Sequence, residues 1–233
     1  MLFQILSGLK AGNLTFEALL IHILVILFVV FVILPIHEFA HAGAAYLLGD
    51  KGIKYRGRLT FNPLAHVDPM GALCLLLVGF GWAKPVPIDP RYFKNPKGGM
   101  ALSALAGPMS NLICGFLSGV SLVLITNFAP QMYAGKFGYY FILFLFYFMA
   151  INVSLAVFNL IPFPPLDGSK IMYAFLPDSA VNFMYKIERY SIFLIYAVII
   201  LFSRSGILDL IDNFFMRLCL LYDPICLYVF GLG

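Results

Sequence analysis

The chain has 233 residues, of which 62% are hydrophobic and only 11% charged, and its mean hydropathy is +0.94. Soluble domains carry about 25% charged residues. A soluble globular fold is therefore excluded, and an all-α polytopic membrane protein is expected, with length for four to six spans of roughly 20 residues each. The net charge of +4 is carried in short loops between apolar runs. That pattern is a topology signal and argues against a nucleic-acid partner. Cys74, Cys114, Cys219 and Cys226 lie in apolar runs without a C-x-x-C pair, so neither a disulfide framework nor a sulfur-ligated metal site is expected.

Met1 to Thr15 carries one basic residue, Lys10. The apolar run that follows is too long for a signal-peptide core, so a retained span is expected from about Phe16 to Leu48. Pro35 removes one amide donor and should kink that helix. Gly43, Ala44 and Ala45 form a small-residue face open to close helix approach. Gly49 to Arg58 is basic, and the prolines of Leu59 to Pro69 argue against a regular helix there. Met70 to Phe80 is apolar but too short to span, so a re-entrant or interfacial segment is expected. Gly81 to Pro96, with Trp82, reads as an extended interfacial loop or hairpin. A second span is expected from about Met100 to Thr126 and a third from about Phe137 to Asn159. The Pro-rich stretch Leu160 to Gly168 follows, then a fourth span near Tyr190 to Phe202. The terminal run Ile207 to Phe230 is interrupted by Asp209, Asp212, Arg217, Asp223 and Pro224, which suggests an interfacial helix or a poor last span. Eight of the fifteen Lys and Arg residues lie between Lys51 and Lys97, and the loop after the second span has only Lys136. The first loop is thus expected on the cytoplasmic side with the N-terminus outside, and Lys170, Lys186 and Arg189 on the cytoplasmic side as well.

The first span ends in His37-Glu38-Phe39-Ala40-His41. Ionisable groups at membrane depth are costly and mark functional sites. On a helix the two histidines are one turn apart and share a face, so both imidazoles reach one metal ion. Glu38 points about 100° away from His37, near enough to hold a water on that metal and take its proton. Zinc with three protein ligands keeps a fourth position open and lowers the pKa of its water to about 7. For the third ligand, His22 lies roughly four turns up the span and reads as a helix-interface histidine. His66, in a polar loop, is one candidate. Asp167 is better placed, after a span and a helix-breaking lead-in, with Gly168 leaving room for close approach. The alternative is that it caps a helix over Ser169 to Phe175. Asn111 and Asn159, near span ends, suit interhelical hydrogen bonds or contact with a substrate backbone or oxyanion. His66 and Asp68 either close the site or order their own loop.

Taken together these motifs resemble the site-2 protease family of intramembrane zinc metalloproteases. His37-Glu38-Phe39-Ala40-His41 matches its H-E-x-x-H, and Leu166-Asp167-Gly168 after Asn159-Leu160-Ile161-Pro162 matches its second motif. Gly107-Pro108 with Asn111 resembles its G-P-x-x-N segment, and Phe61-Asn62-Pro63, His66 and Asp68-Pro69 look like the compact bacterial branch. The likeness covers most of Pro35 to Gly168, and no PDZ-like or CBS-like segment is present within this sequence. It implies a zinc-dependent endopeptidase with one Zn2+ per chain, held by His37, His41 and Asp167, with Glu38 as the catalytic base. It further implies one integral membrane peptidase domain over 1–233, with a three-helix catalytic core at about 16–170 and accessory C-terminal helices at about 184–233. Substrates would be transmembrane segments of membrane proteins or leftover signal peptides, cut in the inner cell membrane toward the cytoplasmic side. Residues Met70 to Phe93 could pair with an unwound substrate. Two other readings are open. One is a membrane zinc peptidase whose third ligand is a later glutamate, of which Glu188 is the sole example. The other is a divalent-metal transporter or an inactive binding scaffold.

Overall fold

The computed structural model describes residues 23–25, 27–78, 81–188, 190 and 206–232. The described residues are mostly helical and form no strand beyond one isolated antiparallel bridge, Val67 with Ala83. Among the described residues three helices are long and apolar enough to cross a membrane: α1 (Ile23–Leu48), α5 (Pro96–Phe128) and α6 (Lys136–Asn159). They coincide with the three expected core spans. His22 and the N-terminal stretch before it lie outside the described residues, as does the fourth expected span apart from Tyr190. Leu24, Leu27, Phe31, Ile113, Leu117 and Leu124 are exposed on the long helices, as expected where lipid is the solvent. The chain is an all-α polytopic membrane protein made of two compact units divided after Gly99, in the first turn of α5.

In the first unit, the break expected at Pro35 is a π-helical turn. Val29–Ile33 is wound as π-helix, and the Leu34 amide donates to Val29. The regular α-helical part, Leu34–Leu48, then resumes with Pro35 as its second residue, so the missing N–H falls at the junction between the π-helical and α-helical parts of one continuous helix. The small-residue face differs from expectation. A Cβ on Gly43 would meet nothing within 4 Å, whereas Ala42 and Ala45 are fully buried. Beyond the short α2 (Gly52–Tyr55), the prolines after Leu59 start helices instead of excluding them. Asn62 accepts from the Leu64 amide at 3.1 Å and opens α3 (Pro63–His66). Asp68 Oδ1 accepts from the amides of Met70 and Gly71, both at 2.9 Å, and opens α4 (Pro69–Val78). Each is a side-chain cap followed by proline at the first helical position, where proline is favoured. Asp68 therefore orders its loop. At 10 residues α4 is about 15 Å long, half the hydrocarbon thickness. The chain returns against it so closely that a Cβ on Gly71 would lie 2.1 Å from the Trp82 carbonyl oxygen. Residues 81–89 carry no regular secondary structure apart from the Ala83 bridge, with the Ile88 amide donating to the Val86 carbonyl at 3.0 Å, and a 3-10 turn follows at Pro90–Tyr92.

In the second unit, α5 and α6 are joined by a 3-10 turn at Pro130–Ala134. After α6 come the irregular stretch 160–166, then α7 (Asp167–Tyr173) and α8 (Asp178–Glu188). The terminal run forms α9 (Ile207–Cys219) and α10 (Pro224–Val229). At 13 residues α9 is about 20 Å long, too short to span. It packs into a core of Leu122, Ile142, Met149, Val153, Val157, Cys219, Leu220 and Cys226. Two of the residues that interrupt the run, Asp223 and Pro224, have a local purpose. Leu221 and Tyr222 adopt left-handed backbone, and Asp223 Oδ1 then accepts from the Cys226 amide at 2.9 Å, with Pro224 opening the next helix. Asp223 also accepts from Asn127 of α5 at 3.1 Å.

Gly115 and Gly119 lie one turn apart on α5 and set its spacing to both neighbours. A Cβ on Gly115 would meet Val153 Cγ2 at 3.2 Å, and one on Gly119 would lie 2.2 Å from the Cys219 carbonyl oxygen. Small residues let backbones approach where lipid supplies no hydrophobic drive. Gly119→Val is expected to force α9 away and destabilise the protein by about 1–3 kcal/mol. Thermal unfolding in detergent should show this as a lowered midpoint, with Gly43→Ala as a control near wild type.

Candidate metal centre

Helical spacing places His37 and His41 on one face of α1, and their Nε2 atoms approach to 3.0 Å. The rings meet edge to face with centroids 4.6 Å apart. Both are buried, at 4% and 6% exposure, and Glu38 between them is 9% exposed. Two nitrogens on a tetrahedral zinc, each at about 2.0–2.1 Å, lie roughly 3.3 Å from each other. The imidazole pair thus has nearly the spacing that one zinc ion demands, and neutral imidazole is a donor that zinc prefers.

The rest of the first unit braces this helix. Phe39, which points away from the histidine face, stacks on Phe61 with centroids 3.9 Å apart. His66 is fully buried. Its Nε2 is 2.8 Å from the Thr60 carbonyl oxygen, and its own carbonyl accepts from Lys84 at 2.7 Å. His66 therefore ties the loop before α3 to the segment returning after α4. Arg58, read from the sequence as a topology charge, is buried and donates to the Ala65 carbonyl.

Residues just beyond Leu48 form a clamp that sequence reasoning missed. Gly49 has φ +132°, and a Cβ there would lie 2.5 Å from the Tyr92 carbonyl oxygen, so only glycine fits. Asp50 is fully buried. Its Oδ2 accepts from the Arg56 guanidinium at 2.6 Å and from the Asp89 amide at 2.9 Å. The C-terminal end of the histidine helix is thus fastened to a segment 39 residues away. Asp89 is itself held by Arg91, whose guanidinium hydrogen bonds pull its carboxyl down to about 2. A Gly-Asp pair after a helix was the available signal, but it does not name the partner. Arg56→Met leaves the Asp50 carboxylate buried without its cation. It is expected to cost about 3 kcal/mol, read as a lowered unfolding midpoint in detergent.

In the second unit, Asp167 is the first residue of α7 and is buried. The capping alternative differs from what is found. The helix starts at Asp167 itself, two residues earlier than expected, and Leu166 occupies the cap position without a side-chain cap bond. The lead-in breaks α6 as expected, with a cis peptide between Pro164 and Pro165. Gly168 allows the approach anticipated for it, since a Cβ there would lie 2.3 Å and 2.4 Å from the carbonyl oxygens of Leu160 and Ile161. Lys170 Nζ lies 3.7 Å from Asp167 Oδ1. Asn111, on α5 just past Pro108, is buried at 1% exposure, and the neighbouring Ser110 hydroxyl donates to the Gly107 carbonyl at 2.7 Å. Asn159, half-buried, donates to Leu155 at 2.9 Å on its own helix. Asn152, which the sequence did not single out, is buried deeper and donates to Phe148 at 2.8 Å.

The model of peptidase family M50 matches residues 131–203. The chain is 40% identical over 163 residues to "Putative zinc metalloprotease YwhC" of Bacillus subtilis (strain 168), covering 70% of this chain and 74% of that protein. It is 33% identical over 141 residues to "Putative zinc metalloprotease Rip2" of Mycolicibacterium smegmatis, covering 58% of this chain and 51% of that one. Over 69 residues it is 39% identical to "Putative zinc metalloprotease MJ0611" of Methanocaldococcus jannaschii, covering 30% and 31%. No solved structure matches the chain. With a paired-histidine centre on an apolar helix and these relatives, the chain belongs to peptidase family M50, the site-2 protease family of zinc metallopeptidases.

Proposed function

We propose that this chain is an intramembrane endopeptidase that hydrolyses peptide bonds in transmembrane segments of other membrane proteins or in leftover signal peptides. The observation that carries the reading is the His37 and His41 Nε2 pair, 3.0 Å apart beside buried Glu38, on a helix apolar enough to cross a bilayer. His37, His41 and Asp167 are the proposed ligands of one zinc ion. They offer two imidazole nitrogens and one carboxylate oxygen, and all three are buried. Zinc supplies Lewis acidity that polarises the scissile carbonyl and acidifies a water.

Glu38 takes the proton from the attacking water and delivers it to the leaving amine. Its burial between two histidines keeps that proton out of bulk solvent. Asn111, Asn159 and His66 are proposed to meet the substrate backbone or the developing oxyanion. Asn159 would act through Oδ1 or its second N–H, since Nδ2 already donates to the Leu155 carbonyl, and His66 through Nδ1, since its Nε2 faces the Thr60 carbonyl. Before cleavage a substrate helix must unwind locally, because a helix satisfies its own amides. The Met70 to Phe93 region is proposed to pair with the unwound stretch. The proposed topology puts the N-terminus outside and the site near the cytoplasmic face of the inner membrane, by the excess of Lys and Arg between Lys51 and Lys97.

The test is membrane proteomics on cells carrying wild type or Glu38→Gln. Accumulation of transmembrane or signal-peptide species that co-purify with the variant is expected. Equal membrane proteomes, together with zinc uptake by proteoliposomes of the wild type, would replace the peptidase with a transporter.

A further inference from the structure

The Asp167 to Lys170 pair sits on a closely packed turn. Gly168 is pressed against the carbonyls of Leu160 and Ile161, and the Ser169 hydroxyl donates to the Leu166 carbonyl at 2.7 Å. The first turn of α7 is thus held in place, and on it Lys170 Nζ lies 3.7 Å from Asp167 Oδ1. The carboxylate is 10% exposed and the lysine side chain 34% exposed. An exposed i,i+3 pair on a helix contributes little. Here one member is a buried carboxylate, and Coulomb interactions strengthen as water is removed.

We propose that Lys170 is a positioning and charge-tuning residue that deliberately weakens zinc binding. This inference rests on the reading of Asp167 as the third ligand. Partners that accept a hydrogen bond from a ligand raise its basicity and tighten the metal. An ammonium group does the opposite. It draws charge from the carboxylate and repels the dication that shares it. Lys170 thus balances the buried carboxylate when no metal is present and limits how much charge Asp167 gives to zinc when it is. The metal is left more electrophilic and more readily exchanged. The bland alternative, a lysine that only marks the cytoplasmic side, predicts no effect on metal affinity.

Zinc affinity is to be measured on the purified full chain in detergent, by competition with a chromogenic chelator. Wild type is compared with Lys170→Met, Lys170→Gln, Lys170→Arg and Asp167→Asn. Both neutral variants are expected to bind zinc about tenfold tighter, and Lys170→Arg to restore wild-type affinity. Two neutral variants are included so that one failing to fold does not decide the matter. Unchanged or weaker affinity in the neutral variants, with zinc lost in Asp167→Asn, overturns the role of Lys170 and leaves the ligand assignment standing. Wild-type affinity in Asp167→Asn overturns the ligand assignment, and the tuning role with it.

Discussion

Glu38→Gln is expected to keep one zinc per chain and to lower kcat for peptide hydrolysis by about a thousandfold. The glutamine is nearly isosteric with the buried side chain it replaces, so the helix and both histidines should stay in place. It cannot accept the proton of the attacking water, and a positioned general base contributes typically 10²–10⁴-fold. The two measurements must be made on the same preparation, metal content by elemental analysis and turnover on a reconstituted transmembrane peptide. Full activity in the variant would remove Glu38 from the chemistry. Loss of zinc along with activity would instead make Glu38 part of the metal's coordination.

Asp167→Asn is expected to lower zinc content well below one per chain and to abolish turnover. An amide oxygen is a weaker donor than a carboxylate, and a three-ligand catalytic site has no spare ligand. Glu188→Ala is expected to leave both zinc and turnover near wild type. Glu188 ends α8 with no supporting motif around it, whereas Asp167 is buried at the start of α7 behind a helix-breaking lead-in. The opposite pattern, zinc lost in Glu188→Ala and kept in Asp167→Asn, would transfer the chain's third ligand to the later glutamate. Because the unfolded histidine pair alone binds zinc weakly, metal content should be compared after chelator washing at fixed detergent and protein concentration.

The H-E-x-x-H pair was legible because its geometry is local. Helical periodicity alone puts His37 and His41 on one face, and the structure places their Nε2 atoms 3.0 Å apart. The turn preceding it was legible only in kind. Pro35 announces a disturbed helix, but its resolution as a π turn over Val29–Ile33 depends on how the neighbouring residues pack. At Asn62-Pro63 and Asp68-Pro69 the prolines by themselves signal a break. A preceding Asn or Asp turns the same proline into a helix start.

By itself the sequence determined the membrane character, the three long spans, the paired histidines with their glutamate, and the breaking of α6 before Asp167. All of these follow from composition and from interactions within a few residues. Tertiary structure alone decided that Asp50 fastens the end of α1 to Asp89, and that Gly119 admits the Cys219 carbonyl. It alone decided that the interrupted C-terminal run completes the core of the second unit. These contacts join residues tens of positions apart. Hydrophobic period does not specify such contacts, because they depend on which surfaces the folded backbone brings within an ångström or two of touching.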